Sequence, residues 1–334
     1  MKSVLVTGAT GYLGRHLLGA LHRAGVPAVA LARSPLPAAW QPEVGDVRVV
    51  AGTPLEPAAW TGAVGEVGTI VHTAAVVKHS RQDAKAVAEM AEVNVEGSRQ
   101  VVRAAAELGA RAVLISTSGT VGVFKHGTQS ADEHAPYTPL AARWPYYASK
   151  VAAEKECRAL ADKLGVELSI VRLPVLLGPK DHKRRSVTHV TRVLDGHVPF
   201  VPAGGVHFTD VRDVAAALVR LAQLDKARPI YHLPGTQASL AAFFRMVCEV
   251  SGATLDRAPA PGWLVEGVAK MTAKLPRKGV AKGLPDAVVL EMATCHWGLS
   301  SLFAADELGY EPRPARQTLV DTVEWLRSET PATA

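Results

Sequence analysis

Apolar and polar positions along the chain follow two alternating periods. Short runs rich in β-branched residues, near 2–6, 27–32, 47–50, 68–72, 111–116 and 168–172, predict strands. Between them, Ala/Leu-rich stretches with apolar residues three and four apart predict helices near 12–24, 83–108 and 146–164. Such alternation calls for right-handed βαβ units, so the first half reads as an α/β domain with a doubly wound parallel sheet of Rossmann type. After Pro174 the pattern loosens into Gly- and Pro-containing loops at 178–185 and 198–205, yet 206–233 again reads as turn, helix and strand. The expected organisation is therefore interleaved. Residues 1–175 with about 206–235 form a dinucleotide-binding domain, about 176–205 with 236–328 form a smaller substrate-binding domain, and 329–334 form a frayed tail.

Composition narrows the function classes. A chain of 334 residues with 48% hydrophobic and 20% charged residues can bury a large core and is not disordered. Its formal charge of +6 is dispersed, which suits anionic small molecules better than nucleic acid. No run approaches the roughly 18 to 20 apolar residues of a membrane span, and the first residues already read as a strand rather than a leader. Three widely separated cysteines, Cys157, Cys248 and Cys295, suggest neither a disulfide framework nor a zinc site and fit a reducing cytoplasm. The twelve histidines show no ligand spacing, so no metal is expected.

Chemistry enters where strand 2–6 meets Thr7-Gly8-Ala9-Thr10-Gly11-Tyr12-Leu13-Gly14 and a helical pattern follows. Glycines allow the tight turn and bring the backbone close to a pyrophosphate, which is met by helix N-terminal N–H groups. A tight turn without ligand is the alternative, and the surrounding strand and helix weigh against it. Arg33 ends the second strand where an acidic residue would bind ribose hydroxyls, which favours NADP(H) over NAD(H), although an arginine can also stack on adenine. His72-Thr73-Ala74-Ala75 ends the fourth strand in small residues that would let a cofactor lie close. Tyr146 and Lys150, four apart in Tyr-Tyr-Ala-Ser-Lys, share a helix face, and a neighbouring ammonium would lower the phenol's pKa toward that of a general acid or base.

Taken together, TGATGYLG at 7–14, HTAA at 72–75, NVEG at 94–97, STSGTVG at 116–122, YYASK at 146–150, RLPVLLGP at 172–179 and DELGYEP at 306–312 resemble the extended short-chain dehydrogenase/reductase family over essentially the whole length. The resemblance implies Tyr146 as acid/base, Lys150 on the nicotinamide ribose, Pro174 against the nicotinamide, and Asn94 as a structural or relay residue. It also implies Ser118 as the hydroxyl that meets the reacting oxygen, with Ser116, Thr117 or Thr120 as alternatives. The family's dehydratases carry Asp-Glu where this chain has Ser118-Gly119, and its sugar epimerases carry polar residues where Val175 and Val206 or His207 stand. The sequence is thus most similar to the dihydroflavonol reductase and 3β-hydroxysteroid dehydrogenase branch, which implies an NADP(H)-dependent exchange of ketone and alcohol on a largely apolar small molecule. A nucleotide-sugar epimerase holding NAD and a non-catalytic dinucleotide sensor are the competing readings. Family members often form homodimers through two long helices, here 83–108 and 146–164. The basic run 180–185 could meet a phosphate or be a solvated loop, and Lys78 and His79 could reach substrate or lie on a surface loop. Segment 262–275 reads as a core-packing helix, with a roof over an apolar pocket or a membrane-surface contact as alternatives.

Overall fold

The computed structural model describes residues 2–78, 83–127, 129–257, 259–273 and 286–329. His79 and residues 330–334 of the expected tail lie outside them. Seven strands form one parallel sheet: β1 (Ser3–Thr7), β2 (Ala28–Ala32), β3 (Arg48–Ala51), β4 (Val67–His72), β5 (Arg111–Thr117), β6 (Leu168–Leu173) and Ile230–His232 at the edge. From one edge the order is β3-β2-β1-β4-β5-β6 and then Ile230–His232. Chain order reverses between β1 and β4, which pair in register with Leu5 opposite Ile70. A crevice at the carboxyl ends of these strands follows from that reversal.

Both faces of the sheet are covered, so the strands are aliphatic throughout. Val4 and Val6 point to the layer of α1 (Tyr12–Arg23) and the helix Val211–Gln223, among Leu17, Leu18, Leu21, Val214 and Leu218. Leu5, between them in sequence, faces the opposite layer with Ile70, Val101, Ala104 and Ala105.

The stretch 83–108, expected as one helix, is broken into α2 (Ala84–Met90), a π-helical turn Ala91–Glu96, and α3 (Gly97–Leu108). The wider turn rotates Asn94 inward, where it is fully buried. The long helix α4 (Pro145–Leu164) follows β5. Its Pro145 occupies a first-turn position where the missing N–H costs nothing.

After β6 the chain passes through Pro174 into a second, three-stranded sheet made by β7 (Val175–Leu177), β8 (Gly205–Asp210) and Thr236–Ser239. In between it returns to the large sheet with the helix Val211–Gln223 and the edge strand Ile230–His232. A separate core of Leu177, Val206, Phe208, Phe243, Phe244, Val247, Leu319 and Val323 lies under the second sheet. Among the described residues, no helix is long and apolar enough to cross a membrane.

The basic run beyond β7 forms a strap across the surface of α1. Lys180 pairs with Glu43, Arg15 pairs with the same carboxylate at 2.7 Å and donates to His182, and buried Asp181 accepts from Ser186 N–H at 2.8 Å. Lys180 and Arg184 hold positive φ angles of 72° and 47°, so this path is held against its local preference. Lys180 and His182 of the basic run thus have protein partners in Glu43 and Arg15.

Candidate active site

Four strand ends meet at the crevice. At the end of β1, Gly8 adopts φ +70°, and a Cβ there would stand 2.6 Å from Ala74 N and 2.7 Å from Thr73 Oγ1. A Cβ on Gly14 would stand 2.3 Å from the Gly8 carbonyl oxygen. Both glycines are therefore demanded by backbone that passes close on either side. Gly11 N–H donates to Gly8 O at 2.8 Å, closing the turn, and Gly11 starts α1 with no side-chain cap and no acidic residue in the first turn. Such an N-terminus leaves N–H groups and the positive end of the helix dipole available to an anion.

Thr10 is exposed beside this turn, while Leu13 anchors it in the core. Tyr12 packs edge-on against His16 at 5.3 Å, and its buried hydroxyl has no hydrogen-bond partner among the described residues. Burial, with Asp181 and Asp210 nearby, holds that phenol protonated, well above its ordinary value. Arg33 lies exposed just past β2. It makes no ion pair among the described residues.

At the end of β4, Thr73 Oγ1 donates to Thr7 O at 2.8 Å, locking the Ala74-Ala75 turn to the glycine loop. His72 Nδ1 lies 2.6 Å from Thr7 Oγ1 inside the sheet. Burial first, and the charge of Lys150 second, drive the imidazole down to about 3, so it is neutral.

At the end of β5, three of the four candidate hydroxyls have structural partners. Ser116 Oγ bonds Glu154, Thr117 Oγ1 accepts Gly119 N–H at 3.3 Å, and Thr120 Oγ1 donates to Thr117 O at 2.9 Å. Ser118 is buried at the start of the 3-10 turn 118–120, beside the first turn of α4. A Cβ on Gly119 would stand 2.0 Å from the Tyr147 ring, so any side chain at this position would displace that ring.

On α4, Lys150 is buried and its Nζ donates to Ile115 O at 2.7 Å. Burial pulls the ammonium down to about 8, against the raising influence of Glu154. The Tyr146 phenol departs from the sequence expectation: burial pushes it up to about 12, where an adjacent ammonium was expected to bring it down. Desolvation is the cause, since a phenolate that has lost water is destabilised, while Lys150 Nζ is turned to Ile115 O.

Asn94 fastens this helix to β4. Its carbonyl accepts Val76 N–H at 2.8 Å, and its amide donates to Val76 O at 2.9 Å and Ser149 Oγ at 3.0 Å, which in turn donates to Tyr146 O at 2.7 Å. Pro174 stands at the junction of β6 and β7. Lys78 pairs with Glu89 at 2.7 Å on the surface.

Two features escaped the sequence reading. One is an aromatic wall: Tyr146 and Tyr147 have centroids 5.1 Å apart, Tyr147 lies 5.3 Å from Trp297, and Trp144 stacks on Trp297 at 5.7 Å. The other is a buried ion pair of Glu154 with Arg172 at 2.7 Å, joined by Ser116 and by His232 Nε2 at 3.3 Å from Arg172. Glu154 follows Lys150 by four residues on one helix face, a spacing that was there to be noticed. Among the described residues no group of His, Cys, Asp and Glu is arranged to hold a metal ion.

Comparison with known proteins adds lineage to this geometry. A family model described as the NAD dependent epimerase/dehydratase family matches residues 4–233. Sterol demethylase protein B of Methylococcus capsulatus is 28% identical, over 97% of this chain and 98% of its own. A 3-diazoavenalumate denitrifying reductase of a Streptomyces species is 30% identical, over 78% of this chain and 88% of its own. The crystal structure of gox2253 superposes with a TM-score of 0.83 at 27% identity, covering 98% of both chains. With the glycine turn, the Tyr-Lys helix and the strand order all in place, the chain belongs to the NAD dependent epimerase/dehydratase family, the extended short-chain dehydrogenases/reductases.

Proposed function

We propose that this protein is an NADP(H)-dependent reductase that interconverts a ketone and a secondary alcohol on a small, largely apolar molecule, with Tyr146 as the general acid/base. The observation that carries this reading is the state of Tyr146: a phenol held protonated near neutrality, on the first turn of α4, edge-on to Tyr147 and on the helix that packs against the Ser118–Thr120 turn. A protonated phenol is the donor that a carbonyl oxygen requires as it is reduced.

The residues present fit a dinucleotide. The glycine cradle leaves no room for a Cβ, and the uncapped start of α1 supplies N–H groups for a pyrophosphate. Gly8, Thr10, Gly11, Tyr12, Leu13 and Gly14 would form the pyrophosphate turn, Arg33 would meet a ribose 2′-phosphate, Ala74 and Ala75 would allow close approach, and Lys150 and Pro174 would flank the nicotinamide end. When bound, this cofactor supplies a hydride at nicotinamide C4.

Ser118 donates a hydrogen bond that orients the substrate oxygen, and Tyr146 delivers the proton. Lys150 keeps positive charge beneath the site below about pH 8. Asn94 holds the helix and the β4 turn at a constant spacing. Trp144, Tyr147 and Trp297 exclude water and favour an apolar body over a diphosphate sugar. The relatives' own names, a sterol demethylase protein and a reductase, are in keeping with this class.

Tyr146→Phe is expected to lower kcat on a ketone panel by about 10²-fold or more while NADPH titration stays within about twofold of wild type. Retention of most turnover would overturn the assignment. Arg33→Ala should weaken NADPH and leave NADH unchanged; equal affinities for both cofactors in both proteins would remove the NADP preference.

A further inference from the structure

The helix that carries Tyr146 and Lys150 begins without the usual fastening. The residue before Pro145 is Trp144, whose indole cannot accept the N–H groups of the first turn, where Ser, Thr, Asp or Asn would normally stand. No side-chain cap closes this end. Trp144 is nevertheless fully buried, so its position is set by something other than a cap. Tyr146 follows two residues later, and any play at Trp144 passes directly to the phenol.

What holds Trp144 comes from 147 residues further along the chain. The helix α5 (Ala287–Met292) turns Val288, Glu291 and Met292, three and four residues apart, to one side. Val288 and Met292 pack with Trp144, Tyr147 and Val123 in one cluster, while Leu290 packs on the other side with Val265 and Ala269 of the helix Gly262–Ala273. Glu291 Oε2 accepts Trp144 Nε1–H at 3.2 Å, and the same carboxylate pairs with Arg143. One side chain thus grips two successive residues at the entrance to α4. Trp144 also stacks on Trp297 and meets Tyr147 edge-on, both at 5.7 Å, and Tyr147 stands 5.1 Å from Tyr146. The far end of the grip is fixed too: just beyond α5, Ala293 O accepts Gly204 N–H at 3.1 Å and Cys295 O accepts Gly205 N–H at 2.9 Å, at the start of β8.

We infer that Glu291 is a positioning residue for the reaction: through Trp144 it sets the start of α4, and with it the orientation of the Tyr146 phenol and the Tyr147 ring. The Glu291 side chain is only 13% exposed, and a leucine there would join the apolar cluster with no desolvation cost. The charge therefore contributes direction more than bulk stability, because it fixes where the indole points. Proton transfer is sensitive to misplacement of about 1 Å, whereas the glycine turn at 8–14 lies on other elements, so the effect of losing the grip falls on turnover and spares the cofactor. This inference rests on the proposed role of Tyr146.

The test compares Glu291→Gln, which keeps an oxygen for the indole N–H, with Glu291→Leu, which removes it. Glu291→Leu is expected to lower kcat on the ketone panel by about tenfold or more while NADPH affinity stays within about twofold of wild type. It should also weaken the circular-dichroism couplet of the stacked Trp144 and Trp297 indoles. Glu291→Gln should restore the couplet and most of kcat. Trp144→Phe removes the donor while Arg143 still pairs with Glu291, so it reports on the same contact if Glu291→Leu fails to fold, and its kcat should fall by a similar factor. Unchanged kcat in Trp144→Phe or in folded Glu291→Leu, no recovery in Glu291→Gln, or NADPH affinity lost in step with kcat would each overturn the inference. If Tyr146→Phe keeps its turnover, the reductase reading fails instead. The couplet, lost in Glu291→Leu and kept in Glu291→Gln, then still decides whether Glu291 holds Trp144.

Discussion

Replacing Glu154 by Gln would expose how much of the site depends on one buried ion pair. Glu154 is fully buried and Arg172 is 2% exposed, and the carboxylate takes Nε and a terminal nitrogen of the guanidinium together with Ser116 Oγ. Taking away one partner leaves an uncompensated charge in a low-dielectric interior, a loss of about 3–5 kcal/mol, whereas removing both charges costs far less. For 334 residues the unfolding entropy is roughly 0.7 kcal/mol per degree, so the melting temperature should fall by about 4–7 °C.

The pair also joins three elements of the site: α4 with Tyr146 and Lys150, β5 with Ser118, and β6 leading to Pro174. Turnover should accordingly fall more than cofactor affinity. Denaturant unfolding of Glu154→Gln, Arg172→Met and the double variant forms a thermodynamic cycle, in which a coupling energy of about 2 kcal/mol or more is expected. Single variants that cost under about 1 kcal/mol, or costs that simply add in the double variant, would refute the reasoning.

Three further outcomes follow from the same geometry. Gly14→Ala places a methyl 2.3 Å from the Gly8 carbonyl, backbone that no rotamer change can relieve; a loss of about 1–3 kcal/mol and at least tenfold weaker NADPH binding are expected, read by unfolding and fluorescence titration. Burial lowers Lys150 to about 8 and raises Tyr146 to about 12, so the cation is lost and the acid retained as pH rises. Reductive kcat/KM should be level below that point and decline through about pH 8, and a decline first seen near pH 10 would contradict it. His72 falls from 6.5 to about 3 on folding: the native state holds it neutral while the unfolded chain takes up a proton below 6.5. Its stabilisation is complete above 6.5 and is lost at roughly 1.4 kcal/mol per unit as pH falls toward 3, so His72→Asn should flatten the acid limb of a melting-temperature profile.

The parts of this protein that could be read in advance are those whose physical cause is local. The positive φ of Gly8 and the press of Gly14 on the Gly8 carbonyl arise within one turn a few residues long, and Tyr146 and Lys150 share a helix face whatever lies around them, so both motifs survive translation into one dimension. The hidden parts all depend on distant partners or a shift in local geometry. The space at Gly119 is closed by the Tyr147 ring, and Lys180 is held by Glu43, which lies 137 residues earlier in the chain. Asn94 reaches Val76 and Ser149 through one π-helical turn, which leaves the periodicity of 83–108 almost unchanged and has no glycine or proline to announce it. The upward shift of Tyr146 is hidden for a related reason. A neighbouring charge can be inferred from spacing, but desolvation depends on packing: Tyr147 stands against the Tyr146 ring and is itself backed by Trp144 and by Trp297, the last about 150 residues away. On the proposed reductase reading, burial against this wall is what would keep Tyr146 protonated as the donor, and the contacts that cause it exist only in the folded chain.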